Sequence, residues 1–385
     1  MDDTPDINEL IRELNEDGLV SDADRVESTE AVRLDAWLQE LVRRAGSDLL
    51  LVPGAPPSVR IDGQISPLAS GPLSGEEIEE AVVPALPRHA RTLYRNTGIA
   101  DASHRVRGLG RFRVNLHRER GRAAAAVRAL PSQPPRLASL GLPAGVEALT
   151  RLPRGLVLIG GPTGSGKTTT LAALVEEINR RDARHVVTIE DPIEYEHPHR
   201  NCLVEQVEIG IDAPDFPTAL RAAMRQAPDV IVVGEMRDPE TMRIALAAAE
   251  TGHLVFSTVH TTDAASTVSR VADSFPPERQ NTIRQELSMA LAAVLTQTLL
   301  PRKGGGRVAA AELLFVSYGA RQHVRKNALQ HLHQEITISK KTGSFSLEES
   351  LVELVMQGHI TREDALLYAI HPDDAEAMLR SLGRH

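Results

Sequence analysis

Hydrophobic residues fall into two spacings along this chain. After Arg154 come short, almost wholly apolar runs: Leu156–Ile159, Val186–Ile189, Val230–Val233 and Leu254–Phe256. Runs of this kind predict strands buried on both faces, as in a parallel sheet. Between them, Thr168–Asn179, Thr218–Arg225 and Glu240–Glu250 carry helical spacing. Strand and helix in alternation predict right-handed βαβ units and an α/β, doubly wound sheet.

The front of the chain reads differently. A helix over Val32–Arg44 places Leu34, Trp37, Leu38, Leu41 and Val42 on one face. Short strands are predicted at Leu49–Val52, Val59–Ile61 and Arg111–Leu116. In the last, Phe112, Val114 and Leu116 alternate with Arg111, Arg113 and Asn115, giving one apolar and one basic face. These elements predict a small α+β domain over 31–130. Five prolines in 131–153 mark an interdomain linker. An α/β core is expected over 154–300, and the C-terminal region, 301–385, combines a strand with mainly helical structure. From about Gln280 helices predominate, Met289–Leu300 being the most apolar candidate, and Leu347–Gln357 and Arg362–Ala369 form a final pair.

Charge sharpens the division. The net charge of −9 comes from 43 basic and 52 acidic residues, and residues 1–30 hold eleven of those acids against Arg12 and Arg25. Removing them leaves 41 basic and 41 acidic residues in a neutral body. The leader carries one short amphipathic pattern, Ile7, Leu10, Ile11 and Leu14, ending near Gly18, and reads as a solvated tail. The single cysteine, Cys202, excludes an intrachain disulfide and a four-cysteine zinc site. No apolar stretch reaches membrane-spanning length and no secretory leader pattern is present, so a cytoplasmic protein is expected. Eleven aromatics are too few for a base-stacking surface, so no nucleic-acid partner is expected.

The strongest chemical signal is Gly161-Pro162-Thr163-Gly164-Ser165-Gly166-Lys167-Thr168, continuing into Thr169. It matches the phosphate-loop pattern in full and lies where the pattern requires, after a strand and opening a helix. Glycines let backbone N–H groups turn in around phosphates, and the helix N-terminus adds a favourable dipole. Lys167 is placed to reach the terminal phosphates of ATP, and the Thr168 hydroxyl to ligate Mg²⁺. Lys167 is also the only lysine in the first 302 residues, in a chain with 38 arginines.

Ligands of open α/β sheets bind beyond the carboxyl ends of the strands. There the second strand delivers Glu190-Asp191, the third Gly234-Glu235 and the fourth His260. Each alone reads as a solvated turn residue; convergence on the edge that carries the phosphate loop makes them candidates together. The third strand is an atypical Walker B element, because Gly234 stands where an acidic metal partner is usual. Glu235 remains to polarise the attacking water, and the metal is left to Glu190, Asp191 or water. His260 is placed to contact the γ-phosphate or report its loss. Eight arginines between Arg105 and Arg128 read either as a solvated basic face or as arginine fingers.

Several motifs in one order carry a resemblance to a known family. Arg225-Gln226-Ala227-Pro228-Asp229 through Gly234-Glu235-Met236-Arg237-Asp238 resembles the signature of the secretion ATPases of the type II secretion and type IV pilus class. Thr188-Ile189-Glu190-Asp191-Pro192-Ile193-Glu194-Tyr195 resembles its Asp box, and Thr251-Gly252-His253 through Ser257-Thr258-Val259-His260-Thr261-Thr262 its His box. The likeness covers roughly 31–370. Within the class the chain is similar to the retraction (PilT-like) branch, since extension and secretion members usually carry a four-cysteine zinc module. The resemblance implies a RecA-like P-loop domain preceded by a PAS-like domain, a homohexameric ring, and ATP-driven pilus retraction. It also implies docking on a polytopic inner-membrane platform protein and peripheral association with that membrane. By the same carry-over Glu190 and Glu235 are catalytic carboxylates, His260 a nucleotide sensor, and Arg111, Arg113 and Arg120 finger candidates.

Two departures stand out. Gly319-Ala320-Arg321-Gln322-His323-Val324-Arg325-Lys326 occupies the place of a family motif close to AIRNLIRE, with Lys326 reversing its final charge. Leu50 stands where the family commonly has histidine. The alternatives are an accessory PilU-like paralogue or partner of the retraction motor, a DNA-transfer secretion ATPase, a RecA-like nucleic-acid motor, and a nucleotide-binding regulator without turnover.

Overall fold

The computed structural model describes residues 31–131 and 133–382. The leader helix expected before Gly18 lies outside the described residues. The chain divides into two compact units between Leu130 and Pro131.

In the first unit, helix α1 (Ala31–Arg43) buries Leu34, Trp37, Leu38 and Leu41, at the i, i+3, i+4, i+7 spacing of one helix face. Val42, expected on that face, is exposed. Its position falls one residue beyond the apolar stripe. Strands β1 (Asp48–Leu51), β2 (Ser58–Ile61) and β3 (Gln64–Pro67) are followed by α2 (Gly75–Val82) and α3 (Arg88–Thr97), then by β4 (Ala100–Val106), β5 (Gly110–Glu119) and β6 (Arg122–Leu130). They form one antiparallel sheet in the order β3-β2-β1-β6-β5-β4. Phe112, Val114 and Leu116 of β5 are buried with α1, α2 and α3, while Arg113 is exposed on the opposite face. Across that face Arg113 stands opposite Arg128, and Arg128 opposite Asp48, to which its Nε donates at 2.9 Å. The sequence pattern missed β3, β4, β6, α2 and α3, whose apolar positions are too few or too small to show a period. β6, for example, is built largely from alanine.

The second unit holds a seven-stranded sheet in the order β13-β12-β7-β11-β10-β8-β9. Its strands are β7 (Gly155–Gly160), β8 (His185–Glu190), β9 (Leu203–Glu208), β10 (Val230–Val233), β11 (Leu254–Val259), β12 (Leu291–Pro301) and β13 (Arg307–Phe315). All pairs are parallel except β12–β13. Helices α4 (Lys167–Arg181), α5 (Phe216–Ala223), α6 (Pro239–Glu250), α7 (Ala264–Asp273) and α8 (Pro277–Ala290) flank the strands. Alternate residues of one strand enter different cores. Leu156 and Leu158 pack with α6 and α8 residues, whereas Val157 and Ile159 pack with Leu171 and Leu174 of α4. Covered faces on both sides explain why these strands read as almost wholly apolar runs.

Two expectations change here. Met289–Leu300, read as a helix, is strand β12 from Leu291 onward, lying between β7 and β13. A largely buried, mainly apolar run has no polar face to fix its period, so helix and strand cannot be told apart from it. Residues 131–153, expected as a linker, contribute Leu137, Val146 and Leu149 to the core beneath α4 through two 3₁₀ segments, Leu137–Leu140 and Ala144–Arg151. The chain ends in α9 (Tyr318–Arg325), α10 (Leu332–Ile338), α11 (Leu347–Met356), α12 (Arg362–Tyr368) and α13 (Pro372–Leu382). Among the described residues no helix is long and apolar enough to cross a membrane.

Candidate functional site

Four neighbouring strands, β7, β11, β10 and β8, run parallel and end at the same edge of the sheet. The register sets Ser257 beside Val233 and Val233 beside Ile189, so Thr258, Gly234 and Glu190 follow at one level. The phosphate loop continues from β7 over the same edge. Gly161, Gly164 and Gly166 take φ values of 150°, 78° and 89°, a region that favours glycine, and α4 begins at Lys167.

Lys167 is buried. Its Nζ donates to Gly161 O at 2.8 Å and Pro162 O at 3.0 Å, and stands 3.5 Å from His260 Nδ1. With Nδ1 accepting from an ammonium, the His260 proton sits on Nε2, which is 3.2 Å from Glu235 Oε1. The other Glu235 oxygen accepts from Arg237 Nη2 at 2.8 Å. Burial alone pushes the Glu235 carboxyl up, but Arg237, with help from His260 and Lys167, outweighs it and holds the group below its ordinary value. Burial lowers the Lys167 ammonium, and Glu235 opposes the shift.

Glu190 sits one strand further along. Burial raises its carboxyl, and hydrogen bonds from Thr188 Oγ1 at 2.7 Å and Gln206 Nε2 at 3.2 Å oppose the rise. Asp191 is exposed. Gly234 gains a physical reason for its departure from the usual acid. A Cβ there would lie 3.2 Å from Ile189 O and 3.5 Å from Glu190 Cα. Its φ is not positive, so space rather than backbone freedom selects glycine.

Of the expected site residues, the structure brings Gly161 to Thr169, Glu190, Asp191, Glu235 and His260 together on the second unit. Thr169 Oγ1 pairs with Tyr195 OH at 3.0 Å. The finger candidates lie on the first unit. Arg111 and Arg113 share one face of β5, and Arg113 Nε is 3.8 Å from Asp101. Arg120 and Gly121 form the two-residue turn between β5 and β6, both with positive φ. Arg120 therefore stands roughly 20 Å from Arg113 along the hairpin, at about 3.3 Å per residue. Arg118 points to the other face, its guanidinium 5.1 Å from the Tyr94 ring centre.

Sequence reasoning missed two glutamines. Gln206 on β9 donates to Glu190 and to Tyr195 O at 2.9 Å, and accepts from His197 N at 2.8 Å. Gln297 on β12 donates to Ser165 O at 2.6 Å. Amides isolated within β-rich runs were the available signal. Two residues of the altered C-terminal motif have defined local surroundings. Glu335 fills the space a Cβ on Gly319 would need, and Arg321 Nη1 donates to the last carbonyls of α8, Ser288 O and Met289 O, at 2.7 and 2.8 Å.

The site thus sets the phosphate-loop sequence, two carboxylates and a histidine at one edge of a mainly parallel sheet. The family model described as "Type II/IV secretion system protein" matches residues 124–335, and the chain belongs to that family. It is 41% identical over 332 residues to the type IV pilus retraction ATPase PilT of Pseudomonas aeruginosa, covering 86% of this chain and 96% of that one. It is 37% identical over 350 residues to the type IV pilus ATPase PilU of the same organism, covering 91% and 92%. A crystal structure of the pilus retraction motor PilT with bound ADP superposes with a TM-score of 0.82 at 43% identity, covering 90% of this chain and 99% of that one.

Proposed function

We propose that this chain is the ATP-hydrolysing motor of type IV pilus retraction, acting as a hexameric ring on a polytopic platform protein at the cytoplasmic face of the inner membrane. The observation that carries the reading is the convergence of Lys167, Glu235, His260 and Glu190 on four adjacent strand ends, in a chain that matches PilT over almost its whole length.

The loop residues Gly161 to Thr169 hold the phosphates of ATP, with Lys167 exchanging its two loop carbonyls for phosphate oxygens. Glu235, kept ionised by Arg237, takes the proton of the attacking water as that oxygen bonds the γ-phosphorus and the bond to ADP breaks. His260 bridges Glu235 and Lys167, so a change in the partners of Lys167 reaches the carboxylate through the imidazole. Of the finger candidates Arg111, Arg113 and Arg120, Arg113, alone or with Arg111 on the same face, supplies positive charge to the triphosphate of a neighbouring copy. The hydroxyl of Thr168 and the carboxylates of Glu190 and Asp191 are all oxygen donors, the set that suits a hard divalent cation, and these residues would hold Mg²⁺. Bound there, Mg²⁺ supplies neutralisation of phosphate charge.

The identity to PilU supports a second reading, an accessory retraction ATPase working with a paralogue. Deleting the gene and scoring the pili separates the two. Retained pili that do not retract support the motor; retraction that persists at reduced force supports the accessory role. Strong stimulation of hydrolysis by single-stranded DNA would overturn both in favour of a nucleic-acid motor.

A further inference from the structure

We propose that Gln297 is a positioning residue for nucleotide binding, fixing the peptide plane through which the phosphate loop enters helix α4. This rests on the nucleotide-binding reading of that loop.

Gln297 is separated from the loop by more than a hundred residues in sequence but lies against both of its ends. β12 pairs in parallel with β7, setting Thr296 beside Gly160, the last strand residue before the loop. The main-chain oxygen of Gln297 lies 2.5 Å from where a Cβ on Gly161 would stand, and its Nε2 lies 3.1 Å from the Cβ position of Gly166. That same nitrogen donates to Ser165 O at 2.6 Å. The side chain is buried, at 4% exposure.

The consequence follows from peptide geometry. Ser165 C=O and Gly166 N–H belong to one planar trans unit and point in opposite directions. Holding the carbonyl on the β12 side turns the Gly166 N–H toward the concave side of the loop, where backbone donors meet phosphate. Gly166 takes a φ of 89° and has no side chain of its own to restrain this plane. The chemistry of the side chain fits the task. Only a donor can hold a carbonyl, and a carboxylate here would set acceptor against acceptor. The Gln297 Oε1 is buried without a partner, a cost that an apolar residue of similar length would not carry. What the amide supplies in return is its bond to the loop.

The test uses the full chain with Gln297→Met, Gln297→Glu and Lys167→Ala, titrated with the fluorescent probe mant-ADP. Gln297→Met is expected to weaken mant-ADP about tenfold and raise KM for ATP by the same factor, with kcat within about threefold and the nucleotide-free melting temperature unchanged. Gln297→Glu is expected to bind well near pH 5, where a protonated carboxyl donates to Ser165 O, and to lose affinity as pH rises. Wild-type affinity in Gln297→Met, or pH-independent affinity in Gln297→Glu, overturns the proposal. So does a fall in nucleotide-free melting temperature large enough to account for the weaker binding, which makes Gln297 a packing residue only. If the wild-type chain and Lys167→Ala bind mant-ADP equally weakly, the nucleotide reading itself fails, and the inference falls with it.

Discussion

The strand edge of the second unit and the arginine face of the first both carry charged side chains, held by different numbers of partners. At the edge, Lys167, His260, Glu235 and Arg237 form a continuous chain of partners, and Lys167 is buried among its own loop carbonyls. On β5 of the first unit, Arg113 lies exposed with Asp101 at 3.8 Å, and Arg120 projects from a turn. Groups linked in a chain of several partners keep their geometry without ligand, whereas Arg113 and Arg120 each face a single exposed or half-exposed carboxylate, Asp101 or Glu119, which fixes them far less. The edge is thus a preorganised site, and the arginine face is a surface whose role depends on what it encounters.

Substitutions can break or sharpen that contrast. Lys167→Ala should have the largest effect, removing nucleotide binding and reducing turnover by about a thousandfold or more while circular dichroism stays unchanged. Retained ATP turnover in that variant would remove the basis for calling the edge preorganised. Arg113→Ala should lower kcat by about a thousandfold with mant-ADP affinity intact, as expected of a charge delivered to the transition state rather than to the ground state. Arg113 and Arg120 are too far apart to meet one γ-phosphate, so Arg120→Ala should differ from it clearly; equal losses in kcat would break the finger assignment. Glu235→Gln should slow turnover by about 10² to 10⁴ while binding persists, measured by phosphate release and mant-ADP titration side by side.

Smaller effects probe how tightly the edge is built. Gly234→Ala places a methyl against the backbone of Ile189 and Glu190 and should cost about 1–3 kcal/mol in urea unfolding. An unchanged midpoint would mean that β8 yields easily. The smallest effect concerns Glu312 on β13, which accepts from Ala264 N at the start of α7, just after the His260 loop. Burial, with Asp263 and Glu348 adding to it, pushes this carboxyl up to about 7. A raised carboxyl binds its proton more tightly in the folded chain, so its contribution to stability is full below its unfolded value near 4.5 and declines as pH rises toward 7. Glu312→Gln keeps the acceptor and should flatten that decline, shifting the slope of melting temperature against pH by a few degrees. A slope identical to wild type would show that Glu312 is already ionised across the range.

Much of the edge was legible in the residues. The phosphate loop is a contiguous motif whose glycines and lysine act within a few positions of one another. Glu190, Glu235 and His260 could be found because strands and helices alternate, and strand ends collect on one side of such a sheet. What escaped was set by partners distant in sequence. β12 read as a helix because burial on both faces removed its period, and the strand it became carries Gln297 to Ser165. Gln206 was invisible for a related reason, since β9 has no helix leading into it and only its pairing with β8 sets the amide against Glu190. The glycine at 234 appeared as a missing acid until the backbone of Glu190 was seen to occupy the space.

The sequence by itself determined the local chemistry: a loop able to surround phosphate, acids and a histidine at strand ends, and an alternation that requires a parallel sheet. The tertiary structure decided the sheet order, β12-β7-β11-β10-β8, and with it which of those groups touch. It also decided that Leu137, Val146 and Leu149 of the expected linker pack beneath α4, and that Arg111 and Arg113 share a face while Arg120 does not. The physical reason is range. Turn preference, helix capping and side-chain period act over a few residues and are written locally, whereas strand order is chosen by burial of the whole sheet, a sum no single segment contains.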